Sequence, residues 1–374
     1  MKLNKQVKTV LSLLNENGYE AYLVGGAVRN ILLKRKIEDY DVTTDADPNA
    51  IRMLFNNYRT YDIGKKHGTI TVLIDSEKIE ITPFRREDKY SDHRHPDKVE
   101  FTGNLKDDLK RRDFTINAMC LDRNGDLVDY FGGLEDLNNK LIRCIGDPNT
   151  RFNEDALRIL RAIRFKVKLG FEIEKETDKA VFECKDLLKY ISAERKKEEL
   201  LKILNTKDGF KAINDYLEVF NTFMPFKKCE RKINNFTSSL YALAYLLRDC
   251  ECDLKELKYS KEEINLIKAL IHASDIDIND DYQFISCLSS IYQKQLLEYL
   301  EQLHHRDLKD RYKKLKRYMV MLNDLKISGE EIESYGYKAK QIGKVKNELL
   351  ELVHQKKLHN TSASLHKQLQ KNIL

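Results

Sequence analysis

The sequence predicts an α+β protein, with an N-terminal head that holds a mixed sheet with helices and an elongated all-α remainder. Residues 21–145 alternate short apolar runs with turn residues, which is typical of strands and hairpins. After Gly146-Asp147-Pro148, apolar residues recur at helical spacing as far as the C-terminus, and proline occurs only once more, at Pro225. Further shifts in composition suggest boundaries near residues 205 and 300.

Local patterns predict the first elements of the head. Apolar residues at helical spacing indicate a helix that ends before Gly18. Ala21–Val24 and residues 40–43 have the composition of short strands. Asp47-Pro48 has the residue types of a helix cap and a first helical position, which predicts a helix that ends near Asn56.

The later part of the head is predicted to contain a hairpin and a further strand. Residues 69–74 and 78–84 alternate with period two around Asp75-Ser76-Glu77, as the arms of a hairpin do. Residues 114–122 are a candidate strand that leads to a turn at Asn124-Gly125.

Composition limits the classes of protein that fit this chain. Apolar residues make up 41% of its 374 residues, but no run approaches 18 apolar residues, so no membrane span is expected. The N-terminus lacks the pattern of a secretory signal. Seven scattered cysteines, without the paired spacing of a zinc site, are expected to be reduced thiols in a cytoplasmic protein.

The positive charge is concentrated at the C-terminal end. Residues 301–374 hold 16 lysines and arginines against 9 acidic residues, a net charge of +7, whereas the whole chain carries +6. A basic end on a nearly neutral body is expected of a protein that binds a polyanion. The alternative is a solvated, lysine-rich helical surface.

Asp39 and Asp41 are the first candidate catalytic residues. In a strand, residues i and i+2 point to the same face, so these carboxylates are expected roughly 7 Å apart. Such a pair can hold two Mg²⁺ ions, about 4 Å apart, together with a nucleoside triphosphate. Asp-x-Asp pairs are also common in solvated turns, so this interpretation depends on the surroundings.

The surroundings of the two aspartates favour a phosphate site. Gly25-Gly26 joins a predicted strand to a helix start, where glycines let a phosphate approach the backbone and the helix N-terminus favours an anion. Arg29, one turn into that helix, can add a charge-assisted contact. Glu80 is predicted on the polar face of its strand, opposite to Ile79 and Ile81, where it can join the aspartates.

Two later segments combine arginines with aspartates. Arg111-Arg112 can meet phosphates, with Asp113 orienting one of the two arginines. In the first helical stretch of the all-α part, Asp155, Arg158 and Arg161 are spaced by three residues and are predicted to share one face. Cytosine and adenine each carry an amino donor beside a ring-nitrogen acceptor, so an Asp/Arg pair can select these bases without a template.

The motifs taken together resemble a known enzyme family. The bacterial class II tRNA nucleotidyltransferases, or CCA-adding enzymes, share the order and spacing of the segments LVGGAVRN, DYDVTTDADP, IEITPFR, DLKRRDFTINAM, DYFGGLEDL, IRCIGDP and RFNEDALRILRAIRF. The wider group is the poly(A) polymerase/nucleotidyltransferase family. SAERKKEELLKIL at 192–204 resembles the family's neck helix, and residues 325–343 resemble the tail of the short Bacillus-type enzymes.

The resemblance implies a reaction and a set of residue roles. The expected reaction adds C, C and A to the 3′ end of tRNA from CTP and ATP, without a template, and releases pyrophosphate with the help of two Mg²⁺ ions. Asp39, Asp41 and Glu80 match the catalytic acidic positions, and the two aspartates are the expected metal ligands. The expected nucleotide contacts, among which Asp155 and Arg158 read the base, are Gly25, Gly26, Arg29, Arg112, Asp155, Arg158, Arg161 and Arg164.

The resemblance also assigns roles to parts of the chain. It implies a catalytic head at 1–148, a neck at 149–205 that recognises the nucleotide base, a helical body at 206–300 and a basic helical tail at 301–374 that binds tRNA. The expected partners are the acceptor stem and 3′ end of tRNA together with CTP and ATP. Neither a membrane nor an obligate protein partner is expected.

Three alternatives are left open by the sequence. An enzyme that adds only A can also keep the loop at 86–100, which is complete in this chain. A poly(A) polymerase that acts on other RNA 3′ ends is the second alternative, although the short basic tail argues against it. The third is a tRNA-binding protein without catalysis, and the intact Asp39, Asp41 and Arg158 argue against it.

Overall fold

A computed structural model describes residues 1–61, 68–88, 98–228 and 236–373. The chain forms two compact units, one of Met1–Ile203 with Asp215–Met224 and one of Leu204–Asn214 with Pro225–Leu374. The predicted α+β class is confirmed, because a seven-stranded sheet lies in the N-terminal part and helices dominate the rest of the chain. The division into four parts at residues 148, 205 and 300 stays a prediction.

Eleven strands lie within the described residues, and seven of them form the main sheet. They are β1 (Ala21–Val24), β2 (Tyr40–Thr44), β3 (Arg59–Tyr61), β4 (Ile70–Ile74), β5 (Glu77–Pro83), β6 (Arg85–Asp88), β7 (Lys98–Phe101), β8 (Cys120–Leu121), β9 (Leu127–Val128), β10 (Leu141–Ile142) and β11 (Glu172–Ile173). The main sheet has the order β3-β4-β5-β2-β1-β8-β9. β6 pairs with β7, and residues 89–97 between them, the middle of the loop at 86–100, lie outside the described residues.

Nineteen α-helices lie in the described part of the chain. The first eleven are α1 (Lys5–Glu16), α2 (Gly26–Leu32), α3 (Pro48–Leu54), α4 (Leu105–Lys110), α5 (Gly133–Asn138), α6 (Pro148–Glu154), α7 (Leu157–Leu169), α8 (Lys175–Glu183), α9 (Ala193–Leu204), α10 (Gly209–Asp215) and α11 (Leu217–Phe220). The last eight, all in the second unit, are α12 (Ser239–Leu247), α13 (Lys261–Ser274), α14 (Asp281–Leu288), α15 (Gln293–His304), α16 (Lys309–Leu315), α17 (Gly329–Ser334), α18 (Ala339–His354) and α19 (Ser362–Ile373). Among the described residues, no helix combines the length and the apolar character that crossing a membrane requires.

Where β2 pairs with β5, the two faces of the main sheet differ in polarity, and this difference positions the candidate site. Val42, Ile79 and Ile81 share one face and are buried, and α1 and α3 pack on that side. Burial of each such side chain stabilises the fold by about 1.5–3 kcal/mol. Asp41 of β2 and Glu80 of β5 are register partners, so they share the opposite face.

Most of the predicted elements of the head are present. β1 has the predicted bounds, and α3 begins at Pro48 with the Asp47 carboxylate accepting from two backbone N–H groups. The predicted hairpin consists of β4 and β5. Its two linking residues, Asp75 and Ser76, have left-handed φ angles of 46° and 72°, as a two-residue hairpin turn requires.

The predicted strand at 114–122 is wrong for most of its length. Phe114 makes an isolated bridge to Cys144, residues 115–117 form a 3₁₀ turn, and only Cys120–Leu121 is a strand. The carboxylate of Asp113 accepts from the N–H of Phe114 at 2.8 Å and from Nδ2 of Asn117 at 3.1 Å. These local hydrogen bonds favour a turn, because they compete with the ladder of a sheet.

Candidate active site

A polar cavity of about 740 Å³ opens in the first unit. Its lining comes mainly from the β1–α2 turn, the start of β2, the end of α4 and one side of α7, with further residues from β6 and α9. Among the described residues, the side chains that line it include nine basic and five acidic ones: Arg29, Arg85, Arg111, Arg112, Arg158, Arg161, Arg164, Lys168 and Arg195, and Glu38, Asp39, Asp41, Asp113 and Asp155. The excess of positive charge favours a polyanionic ligand.

The acidic edge of the cavity is formed where β2 begins. Asp39 is exposed just before the strand, and Asp41 is half-buried within it. Burial raises the pKa of Asp41, the charge of Asp39 raises it further, and Arg112 opposes the rise. Burial and the charges of Asp41 and Asp39 also raise the pKa of Glu80. Glu80 therefore lies near the two aspartates, although it is not among the residues that line the cavity.

The two aspartates are suitable ligands for Mg²⁺ that is shared with a substrate. Within residues 1–61, 68–88, 98–228 and 236–373, no group of three or more His, Cys, Asp or Glu side chains forms a metal site. Mg²⁺ commonly takes one or two carboxylates and completes its shell with water and substrate phosphates. A cation would also relieve the repulsion by Asp39 that contributes to the raised pKa of Asp41.

The turn from β1 to α2 brings backbone close to the acidic edge. Gly25 has a φ of 72°, which favours glycine. A Cβ at this position would lie 3.2 Å from Nη1 of Arg112 and 3.7 Å from Oδ2 of Asp41. At Gly26, a Cβ would meet only Nη2 of Arg29 at an ordinary 3.6 Å. Because glycine has no Cβ, Gly25 leaves room for the side chains of Asp41 and Arg112.

Arg29 is a buried cation on α2. Its Nη1 donates to Oδ1 of Asn117 at 2.5 Å, and its Nε and Nη2 donate to Oδ1 of Asn30 at 3.3 and 3.2 Å. Burial lowers the pKa of Arg29 to about 10 despite the charge of Asp113. The guanidinium stays protonated at neutral pH and lines the cavity as a fixed positive charge.

Three arginine side chains surround the ring of Phe165 at the wall of the cavity. The guanidinium carbons of Arg164, Arg29 and Arg161 lie 4.6, 5.1 and 5.4 Å from the ring centroid. Such cation–π contacts each stabilise by about 0.5–1 kcal/mol or more. Acidic partners offset the repulsion between the cations, since Glu199 lies 2.8 Å from Nε of Arg164.

Asp113 binds an arginine other than the one that the sequence predicts. Its Oδ2 accepts from Nε of Arg161 at 2.7 Å, and not from the preceding arginines. Burial alone would raise the pKa of Asp113, but the charge of Arg161 and the hydrogen bonds from Asn117, Arg161 and the Phe114 N–H hold it well below the ordinary value. The carboxylate of Asp108 instead accepts from Arg111 and Arg112.

The prediction that Asp155 and Arg158 share one helix face is wrong. α6 ends at Glu154 and α7 begins at Leu157, so Asp155 lies between two helices with an extended φ of −139°. There its Oδ1 accepts from the N–H of Leu157, the first residue of α7, at 3.1 Å. Asp155 and Arg158 both line the cavity all the same.

Each of these two residues is held by a partner that was not predicted from the sequence. Oδ2 of Asp155 accepts from Nη2 of Arg195 at 2.9 Å, and Nη1 of Arg158 donates to Oε2 of Glu154 at 2.6 Å. Arg158 also donates to the Arg151 carbonyl at 2.8 Å. Glu154 is four residues from Arg158, so helix spacing would have suggested it. Arg195 is 40 residues from Asp155 in the sequence, and only the fold brings them together.

Known proteins share this sequence and architecture. Residues 21–143 match the family model described as the poly A polymerase head domain. Residues 170–219 match the model described as the probable RNA and SrmB-binding site of polymerase A. The CCA-adding enzyme of Bacillus pumilus is 38% identical over 374 residues, covering 94% of this chain and 92% of that enzyme. The chain belongs to the CCA-adding enzyme family.

Two further members of the CCA-adding enzyme family agree with this assignment. The CCA-adding enzyme of Bacillus subtilis is 37% identical over 349 residues, which cover 86% of each chain. The crystal structure of the Bacillus stearothermophilus CCA-adding enzyme in complex with CTP has a TM-score of 0.78 and 25% identity, covering all of this chain and 98% of that one. The expected family and the nucleotidyltransferase class are therefore confirmed, whereas the roles of individual site residues stay predictions.

Proposed function

We propose that this protein adds C, C and A to the 3′ end of tRNA, without a template, from CTP and ATP. The observation that carries the proposal is a single cavity that joins two aspartates to a wall of arginines, in a chain of the CCA-adding enzyme family. A nucleoside triphosphate fits that arrangement, because its phosphates face the arginines while its metal ions face the carboxylates. A relative from Bacillus stearothermophilus was solved with CTP.

The proposed reaction is an in-line displacement at the α-phosphate. A bond forms between the 3′ oxygen of tRNA and the α-phosphorus, and the bond from that phosphorus to the bridging oxygen breaks. Pyrophosphate leaves, and the 3′-hydroxyl gives up its proton to solvent. Asp39 and Asp41 would hold the two Mg²⁺ ions, and Glu80 would add negative charge beside them. When bound, the ions would lower the pKa of the attacking hydroxyl and stabilise charge on the leaving group.

The basic side chains that line the cavity, here called the basic wall, bind the nucleotide in this proposal. Arg29 and Arg112 contact the triphosphate beside Gly25 and Gly26, and charge-assisted hydrogen bonds of this kind are the strong ones. Arg161 and Arg164 extend the positive wall along α7. Their fixed positions beside Phe165 leave little to reorganise when the phosphates enter.

Asp155 and Arg158 supply the proposed base-reading pair. The carboxylate accepts from the amino group of cytosine or adenine, and the guanidinium donates to the neighbouring ring nitrogen. Asp155 can do this while bound to Arg195, because an ionised carboxylate has about four acceptor sites. Uracil and guanine present the opposite pattern of donor and acceptor and are rejected.

The proposed acceptor substrate is tRNA, held by the basic residues of 301–374. The net charge of that segment, 16 basic against 9 acidic residues, suits contacts with phosphates. The match of residues 170–219 to a probable RNA-binding segment supports an RNA substrate. The cytoplasmic location of the protein stays a prediction.

The test uses three tRNA transcripts, which end before CCA, after C and after CC. Each is offered CTP, ATP or both in the presence of Mg²⁺, and the products are separated on a sequencing gel. With both nucleotides, the proposal expects each transcript to be extended to CCA and no further. CTP alone should extend the first two transcripts only as far as CC, and ATP alone should extend only the transcript that already ends in CC. An RNA of equal length without the tRNA fold is the control, and it should not be extended.

Each alternative has its own outcome in the same experiment. Extension of only the transcript that ends in CC would show an enzyme that adds A alone. Extension of the unfolded control RNA with many A residues would show a poly(A) polymerase. Binding of tRNA without any extension would show a protein without catalysis and would contradict the proposal.

A further inference from the structure

Asp108 is a fully buried carboxylate beside the cavity. Its side chain has no exposed surface, although it is not among the residues that line the cavity. Oδ1 accepts from Nη2 of Arg111 at 2.7 Å and from its Nε at 3.0 Å, and Oδ2 lies 3.4 Å from Nη2 of Arg112. Both arginines do line the cavity. Asp108 therefore contacts two members of the basic wall from behind.

Two further donors attach Asp108 to other parts of the site. Oγ1 of Thr43 donates to Oδ2 at 3.2 Å, and the backbone N–H of Arg85 donates to Oδ1 at 3.3 Å. Thr43 lies two residues after Asp41 on the same face of β2. Arg85 is the first residue of β6 and also lines the cavity. One carboxylate thus joins the arginine pair to the strand that carries an aspartate of the acidic edge.

The chemistry of the cluster indicates an ionised carboxylate. Burial alone would raise the pKa of Asp108, but the charges of Arg111 and Arg112 and the hydrogen bonds from Arg111 and the Arg85 N–H lower it. An ionised buried carboxylate persists only when it is paired. Without it, two adjacent guanidinium groups would repel each other and turn toward solvent. Arg112 would then leave its place beside Gly25, where its Nη1 lies 3.2 Å from the position of a Cβ.

We propose that Asp108 is a positioning residue that holds Arg111 and Arg112 against the triphosphate of the bound nucleotide. The proposal rests on the proposed function, since it assumes that the cavity binds CTP and ATP. According to the proposal, Asp108 contributes to the affinity for the phosphates of the nucleotide although it lies outside the cavity. The proposal assigns to Asp108 no role in the choice between C and A, because the triphosphate is common to both nucleotides.

The main test is Asp108→Asn, which keeps the size of the side chain and removes its charge. We expect the KM values for CTP and for ATP to rise by the same factor, about tenfold, because hydrogen bonds to charged groups contribute about 1.5–3 kcal/mol. The kcat value and the ratio of C to A incorporation should change little. The inhibition constant of inorganic pyrophosphate should rise by the same factor as KM.

Asp107→Asn is the matched control. Asp107 lies one residue earlier on α4, carries the same charge and does not belong to the Asp108 cluster. This variant should keep the KM of the wild-type protein. A purely structural role of Asp108 would reduce the fraction of folded enzyme, which lowers kcat and leaves KM unchanged. That result would overturn the proposal.

A second variant keeps the proposal testable if Asp108→Asn does not fold, and a binding measurement does so if no nucleotide is transferred. Thr43→Val removes one donor to Asp108 at nearly constant volume, and we expect it to raise both KM values about threefold. An unchanged KM in this variant would contradict the proposal. Calorimetric binding of pyrophosphate needs no turnover. If wild-type protein binds pyrophosphate without transferring CMP or AMP, the proposed function fails, whereas equal affinity in Asp108→Asn would overturn the positioning role.

Discussion

Asp39 and Asp41 are the residues on which the proposed transfer depends most. Replacing either by alanine should lower kcat by on the order of a thousandfold, because Mg²⁺ contributes several kcal/mol of charge stabilisation to the displacement. The measurement is Mg²⁺-dependent incorporation of labelled CMP into a tRNA that lacks CCA. Turnover close to that of the wild-type protein in either variant would contradict the metal assignment.

The same variants give a readout that does not require catalysis. Mg²⁺ should raise the thermal midpoint of the wild-type protein, because a ligand that binds only the folded state stabilises it. The midpoint of Asp41→Ala should not respond to Mg²⁺. Circular dichroism of both proteins without Mg²⁺ serves as the control for folding.

Asp113 gives a prediction about stability and pH. Asp113→Asn should reduce the free energy of unfolding at pH 7 by about 3 kcal/mol, because it leaves Arg161 without its buried ionic partner. The pKa of Asp113 is lowered in the folded state. Its stabilisation is therefore present above the ordinary aspartate value of about 3.9 and is lost as the pH falls below that value.

Urea unfolding of the wild-type protein and of Asp113→Asn at several pH values tests the direction of this pH dependence. The difference in unfolding free energy between the wild-type protein and Asp113→Asn should become smaller as the pH falls below about 4. Asp126→Asn, at an exposed position, is a control with the same change in charge. A difference that grows toward acid pH would show that the carboxylate is not stabilised in its ionised form.

Sequence reasoning at the residue scale succeeded where partners are close along the chain. The Asp47 cap follows from Asp-Pro, and the contact between Asp108 and Arg111 follows the helix spacing, although it was not assigned from sequence. The partners of Asp113 and Asp155 lie 48 and 40 residues away. No local pattern encodes such a pair, because packing between α7, α9 and the head decides it.

At the scale of elements, the turn between β1 and α2 supports the site through its backbone. Gly25→Ala should destabilise the protein by about 1–3 kcal/mol, because alanine is strained at a φ of 72°. The new Cβ would also press on Arg112 and so weaken the binding of CTP. Urea unfolding and CTP titration measure the two effects separately.

Gly26→Ala is the matched control for that turn. Gly26 is the first residue of α2, and its added Cβ would meet only the end of a flexible arginine side chain at 3.6 Å. Its unfolding free energy should stay within about 0.5 kcal/mol of the wild-type value. Equal stability losses in the two variants would show that the left-handed backbone of Gly25 is not the cause.

The elements around the acidic edge show which features the alternation of apolar and polar residues predicts and which it does not. Alternation in residues 69–84 correctly predicts β4 and β5 and the polar face of Glu80. Alternation does not predict which strands become neighbours. In the structure β5 pairs with β2 in parallel, and this pairing makes Glu80 the register partner of Asp41. Residues 114–122 failed as a strand because hydrogen bonds to the Asp113 side chain outweigh β propensity there.

At the scale of the whole molecule, charge separates the proposed tasks of nucleotide transfer and tRNA binding. Lys313, Lys314 and Lys316 are exposed at or just after the end of α16 within the basic segment. Their combined replacement by alanine should weaken tRNA binding about tenfold at low salt. It should also reduce the slope of log Kd against log salt by about two, while CTP affinity stays unchanged.

Three exposed lysines outside that segment provide the control. Replacing Lys255, Lys261 and Lys268 by alanine makes the same change in charge within the same unit. This variant should bind tRNA with nearly the affinity and salt dependence of the wild-type protein. Equal weakening by both triple variants would indicate a general effect of net charge instead of a tRNA-binding segment.

The sequence by itself determined the α+β class, the family, the acidic pair at the start of β2 and the glycine turn before α2. These features depend on periodicity, composition and short motifs, which act over a few residues. Only the tertiary structure decided which carboxylate holds which arginine, that Asp155 lies between two helices, and that Asp108 stands behind the basic wall. Such choices depend on packing between distant segments, because the free energy of a buried charge is set by whichever groups the fold brings around it.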